Sequence, residues 1–210
     1  MLPFSSYRQS FLFFRDYLLI FNNPLLVSGA DSPQDLCELR DEKSNLGKAL
    51  IFAILIVKMI LGIDPGVAST GWAVLDKDKL IASGCIKTSK KNDFSCRLRQ
   101  IYQEVAEICS RWSVADLAIE EIFFAKNAKT ALKVAQVMGA IKTAAQNSGV
   151  RVFGYTPLQI KIAVVGYGRA EKKQVELMVE QMVVLNEKIN SHHAVDALAA
   201  ALTHQVIFKK

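Results

Sequence analysis

Three carboxylates stand where the surrounding pattern makes a carboxylate expensive. Asp64 closes the apolar run Lys58–Ile63 at the turn Asp64-Pro65-Gly66. Glu120 lies inside the otherwise apolar stretch Leu117-Ala118-Ile119-Glu120, and Asp196 inside Ala194-Val195-Asp196-Ala197-Leu198-Ala199. An unpaired carboxylate in such surroundings calls for a cation, a hydrogen-bond donor or water. Any one of them alone fits an ion pair to a neighbouring lysine, or simple exposure. Three together, at the ends or middles of core elements, point to a shared divalent metal, and hard oxygen ligands suit Mg²⁺ or Mn²⁺. Glu121 falls on the opposite strand face from Glu120 and reads as non-catalytic.

The elements that must position these acids follow from periodicity. Lys58–Ile63 reads as a buried strand stopped by a sharp turn, and Thr70–Leu75 and Leu80–Thr88 as two more strands around the charged turn Asp76-Lys77-Asp78-Lys79. Together they make an antiparallel meander. Asp93–Trp112 reads as a helix, with Leu98, Ile101, Val105 and Ile108 at helical spacing. Asp116–Ile122 returns to strand character, Lys126–Asn147 is a long helix stopping before Gly149, and Val150–Tyr155 is a fifth strand. Thr156-Pro157 is an N-cap followed by proline at the first helical position. Helices are expected over 157–165, 170–185 and 192–208. The order predicts an α/β domain with a mixed five-stranded sheet flanked by helices.

At 210 residues the chain has room for one domain with an appendage, or two small ones, and a hydrophobic share of 51% is enough for a core. The net charge of +6 is unevenly placed: residues 1–57 hold five Lys/Arg and six Asp/Glu, residues 58–210 hold 21 and 14. The positive field therefore belongs to the C-terminal part, as a polyanionic partner would require. Cys37, Cys85, Cys96 and Cys109 lack metal-site spacing and read as small buried hydrophobes of a reducing compartment. Phe11–Phe21 and Leu50–Ile63 are both too short and too interrupted for a membrane span, and no export signal is apparent. The polar stretch 28–48 reads as a linker or loosely ordered segment.

Ile63-Asp64-Pro65-Gly66 with Thr70-Gly71-Trp72-Ala73, followed by Ala118-Ile119-Glu120, resembles the RuvC family of Holliday junction resolvases. Phe123-Phe124-Ala125-Lys126-Asn127, the run Val165–Lys172 and the run Asp196–His204 extend the match in order and with compatible spacing. The resemblance covers about Lys58 to His204. It implies an RNase H-like fold, a homodimer, a cytoplasmic address, and Mg²⁺-dependent cutting of four-way junction DNA by paired nicks, in partnership with a branch-migration motor. Two ions per subunit, with Mn²⁺ able to substitute, would promote in-line hydrolysis of the phosphodiester. Asp64, Glu120 and Asp196 match the family's metal-binding acids, Asp64 being the candidate bridge. His193 stands where many members carry a further Asp. Its i, i+3 spacing from Asp196 puts both on one helix face, where His193 can bind metal or handle a proton.

The resemblance further implies that Phe123 stacks on an unpaired base and that Lys161 and Lys172 lie near the DNA backbone; core packing for the first and a solvated face for the others are the plain alternatives. Lys126, Lys129 and Lys133 share a helix face and fit either phosphate tracking or ordinary solvation. Residues 57–208 are expected to form the nuclease domain, and residues 1–56 a poorly ordered extension or a non-native start. Two other classes remain open on sequence alone. One is an actin-like ATPase fragment, since Asp64-Pro65-Gly66 through Gly71 loosely fits its phosphate loop; the other is a non-catalytic branched-DNA-binding protein.

Overall fold

The computed structural model describes residues 59–121, 128–185 and 189–208. Five strands form one mixed sheet in the order β3-β2-β1-β4-β5. They are β1 (Met59–Asp64), β2 (Ser69–Asp76), β3 (Lys79–Lys87), β4 (Val114–Glu120) and β5 (Arg151–Tyr155). The first three are antiparallel neighbours; β4 runs parallel to β1, and β5 parallel to β4. The charged turn is tight, with Lys77 at φ 53° between β2 and β3. The helices are α1 (Phe94–Arg111), α2 (Ala128–Asn147), α3 (Pro157–Val165), α4 (Lys172–Met182) and α5 (His192–Phe208).

The two-residue period of a strand divides the sheet cleanly. Leu61 and Ile63 of β1, Val74 of β2, and Leu117 and Ile119 of β4 pack with Ile101 and Val105 of α1 and Val137 and Ile141 of α2. Ile60, Ala73, Leu75, Ala118 and Tyr155 face the other way, onto the alanine-rich α5 with α3 and α4 beside it. Asp64 and Glu120 continue the rows of Ile60 and Ala118, so they emerge on the α5 side at the C-terminal ends of β1 and β4.

Each cap has a local cause. Asp93 Oδ1 accepts from Cys96 N–H at 2.9 Å to start α1. Thr156 and Gln159 form a reciprocal capping box around Pro157 at the start of α3. Gly149 (φ 74°) ends α2 and Gly166 (φ 91°) ends α3.

One expected helix is shorter than its periodicity suggests: α4 stops at Met182 instead of continuing to 185. The backbone of Val184 is engaged elsewhere, its N–H donating to Asp78 O at 2.7 Å and its carbonyl accepting from Leu80 N–H at 3.2 Å. The β-branched pair Val183-Val184 thus leaves the helix to pair with the start of β3. Of the cysteines, Cys109 is buried, its thiol pushed up to about 11 by that burial, whereas Cys85 and Cys96 are half-buried. Cys37 lies outside the described residues. No helix among the described residues is long and apolar enough to cross a membrane.

Candidate metal centre

Asp64 ends β1 at a turn that is held from several directions. Thr70, fully buried, donates its hydroxyl to Gly66 O at 2.7 Å. Thr88 Oγ1 donates to Val67 O at 2.6 Å, and Arg97 Nη2 donates to the same carbonyl at 3.0 Å. The aspartate therefore projects from a fixed backbone. The N-terminal end of α5 comes down directly onto it because two strand positions have no side chain. A Cβ on Gly71, the cross-strand partner of Asp64, would overlap the carbonyl of His193, and a Cβ on Gly62 would overlap the carbonyl of Ala197. Glycine inside a strand is a mark of such close backbone approach.

That approach brings His193 Nδ1 to 2.7 Å from Asp64 Oδ2. One ligand atom from each of Asp64, His193 and Asp196 lies within 4.8 Å of the others. Glu120 stands just outside this trio but within its field. Burial pushes its carboxyl up to about 7, and the charges of Asp64 and Asp196 push the same way. Burial also raises Asp64, with Asp196 adding to the rise and the hydrogen bond from His193 opposing it. Crowded, half-buried carboxyls that resist ionisation in each other's presence fit a site completed by a hard cation. The donor set of carboxylate oxygens with one imidazole suits Mg²⁺ or Mn²⁺ at the carboxylates, and leaves Nδ1 of His193 turned toward Asp64.

A further partner joins the trio. Lys172, the first residue of α4, places Nζ 2.7 Å from Asp196 Oδ2. Its ammonium is held above its ordinary value chiefly by that hydrogen bond. The residue matched to a backbone-contacting lysine therefore sits in the acidic cluster itself, a contact across 24 positions that spacing alone does not reveal. Lys161 is half-buried on α3. Glu121 turns away from the cluster to pair with Lys142 of α2 at 3.0 Å, as its opposite strand face requires. Phe123 and Lys126 lie outside the described residues, as does the side chain of Lys129. Lys133 Nζ lies 5.8 Å from the centre of the Phe94 ring on α1.

A family model for the crossover junction endodeoxyribonuclease RuvC matches residues 60–204. The chain belongs to the RuvC family. A RuvC of Finegoldia magna is 46% identical over 149 residues, which span 69% of this chain and 91% of that one. The solved RuvC of Thermus thermophilus superimposes with a TM-score of 0.68 at 35% identity, covering 72% of this chain and 95% of that chain. The yeast mitochondrial Holliday junction resolvase Ydc2, at 13% identity and a TM-score of 0.55, shares the fold. The sheet is thus RNase H-like, the chain is an endodeoxyribonuclease, and the ATPase reading falls away. Within the RuvC frame, the features that local sequence pattern does not reveal are Gly62, which lets α5 approach, and a buried polar set that joins three elements, Asp116 of β4, Tyr155 of β5 and His204 of α5.

Proposed function

We propose that this RuvC-family chain resolves four-way DNA junctions by metal-dependent hydrolysis, with Asp64, Glu120, His193 and Asp196 as the catalytic and metal-binding residues. The observation that carries the reading is the convergence of Asp64, His193 and Asp196 within 4.8 Å beside a Glu120 whose carboxyl is pushed up to about 7. A solved RuvC of Thermus thermophilus in complex with a Holliday junction substrate is 34% identical, with a TM-score of 0.66 over 72% of this chain and 95% of that one, which supports the same substrate here. Magnesium bound at these carboxylates, as two ions and replaceable by Mn²⁺, would supply Lewis acidity and an activated water.

The protein's own groups have separable tasks. Asp64, on the braced turn, orients the His193 ring through Nδ1, so the far ring nitrogen is free to accept or return a proton. Asp196 holds Lys172 at the cluster, where its ammonium can meet a phosphate oxygen. Lys161 and Lys172 would track the DNA backbone, and Phe123 would stack on an unpaired base, an interaction worth roughly 1–3 kcal/mol at an exposed aromatic. A junction offers two equivalent strands, so a homodimer with one site for each gives paired nicks. The nuclease domain is residues 57–208, with residues 1–56 an extension outside it. The setting is cytoplasmic, with a branch-migration motor as partner.

The test is incubation of the purified protein with a synthetic four-way junction in Mg²⁺, with and without chelator. Symmetric nicks that appear only with metal are expected. Tight binding without any cutting, in either Mg²⁺ or Mn²⁺, would favour a junction-binding module instead.

A further inference from the structure

Helix α5 presents one stripe to the sheet. His193 lies over Gly71, Ala197 over Gly62, and three turns beyond His193 the stripe ends at His204. The middle of this contact is smooth: Ala197 and Ala201 lie over Gly62, Ala200 shares their helix face, and Ala73 and Ala118 stand on the facing side of the sheet. Small apolar groups pack closely, but their attraction is not directional and resists sliding or rotation only weakly. The far end is of another kind. Asp116, Tyr155 and His204 are 5%, 5% and 2% exposed, and they are hydrogen-bonded into a chain.

Arg151 donates from Nε to Asp116 Oδ1 at 2.7 Å and from Nη2 to Oδ2 at 2.9 Å. His204 Nε2 lies 3.2 Å from Asp116 Oδ2, and His204 Nδ1 lies 2.6 Å from Tyr155 Oη. With Asp116 accepting on both oxygens, Nε2 must donate to it, which leaves Nδ1 to accept the Tyr155 hydroxyl proton. Every polar group of the chain is then used in one sense only. Phe153 and Phe208 close over the imidazole, each with its ring centre 4.5 Å away.

These residues are tied to the acids. Asp116 and Glu120 share the α5 face of β4, and Tyr155 is the cross-strand partner of Glu120, with Glu121 N–H donating to Tyr155 O at 2.8 Å. His193 and Asp196 ride on the helix that His204 anchors. We infer that Asp116, Tyr155 and His204 are positioning residues for DNA cutting: their buried chain fixes the axial and rotational register of α5 on β4 and β5. It thereby sets the separation of the helix-borne His193 and Asp196 from the strand-borne Asp64 and Glu120. One residue of slip moves a helix by about 1.5 Å and turns it by about 100°. Misplacement of about 1 Å in a reacting constellation can cost on the order of a hundredfold in rate.

The inference rests on those four residues being the cutting site, and the experiment separates the two claims. Tyr155→Phe, His204→Gln, His204→Leu and Asp64→Asn are compared with the parent for junction affinity, kcat and half-saturating Mg²⁺, at a temperature where melting curves show each folded. Tyr155→Phe deletes one hydroxyl. It is expected to bind junction like the parent, yet to cut about tenfold more slowly and to need several-fold more Mg²⁺. The glutamine of His204→Gln can donate to Asp116 and accept from Tyr155, so it is expected to recover activity that His204→Leu loses. Folded Tyr155→Phe and His204→Gln proteins with parental kcat, parental Mg²⁺ dependence and no difference from a folded His204→Leu would overturn the inference; if His204→Leu does not fold, parental behaviour of Tyr155→Phe alone overturns it. Asp64→Asn that still cuts would instead overturn the assignment of the site.

Discussion

Glu120 sits on the α5 side of β4, where burial and the neighbouring Asp64 and Asp196 push its carboxyl from an ordinary 4.5 up to about 7. A carboxyl with a raised pKa binds its proton more tightly in the folded than in the unfolded chain. Its contribution to stability is therefore complete below pH 4.5 and is lost as pH rises to about 7. With metal chelated, the parent is expected to lose melting temperature across that window relative to Glu120→Gln. Added Mg²⁺ should stabilise the parent more at pH 8 than at pH 5, because it binds the ionised form. Parallel pH profiles for parent and Glu120→Gln would contradict this. His193, 2.7 Å from Asp64, belongs to the same cluster. His193→Ala is expected to lose on the order of 10²–10⁴-fold in cutting, less in Mn²⁺ than in Mg²⁺, with His193→Asp largely active; a fully active alanine variant would remove the imidazole from the site. The acids themselves are legible in the sequence because charge inside an apolar period is conspicuous. The Lys172–Asp196 contact is not, because it joins two helices whose packing no local pattern encodes.

The elements place those residues through backbone approach as much as through side chains. Gly71 and Gly62 bring the first turns of α5 against β2 and β1, where a methyl group would overlap the carbonyls of His193 and Ala197. Gly71→Ala is expected to fold less stably and to cut at least tenfold more slowly with junction affinity little changed, since only the helix terminus bearing His193 and Asp196 must move. Parental kcat in that variant would show that α5 need not touch the strand. The strands and most helices are readable from periods of 2 and 3.6, down to the turn at Lys77 and the cap at Thr156. The end of α4 is not readable, because Val184 exchanges helical continuation for pairing with β3, a choice made by tertiary neighbours. Asp116 is as conspicuous in the sequence as Glu120, an acid within the same apolar strand, but its role is not legible there, since only the fold supplies Arg151 and His204 around it.

At the scale of the molecule, the charge and the chemistry coincide. Residues 58–210 carry 21 Lys/Arg against 14 Asp/Glu, whereas residues 1–57 are slightly acidic, and the family match starts at residue 60. A chain beginning at Val57 is therefore expected to bind and cut four-way junctions like the full chain; failure to fold or to cut would assign the first 56 residues a part in the domain. Affinity should come mainly from lysines and junction shape, and cutting from the acidic cluster, so the two functions should separate. The most direct measurement is junction binding and junction cutting, side by side in Mg²⁺, for the parent and for Asp64→Asn, Glu120→Gln and Asp196→Asn. The account predicts that each variant binds the junction close to the parental affinity and makes no nicks. Substantial cutting by any two of them would contradict it.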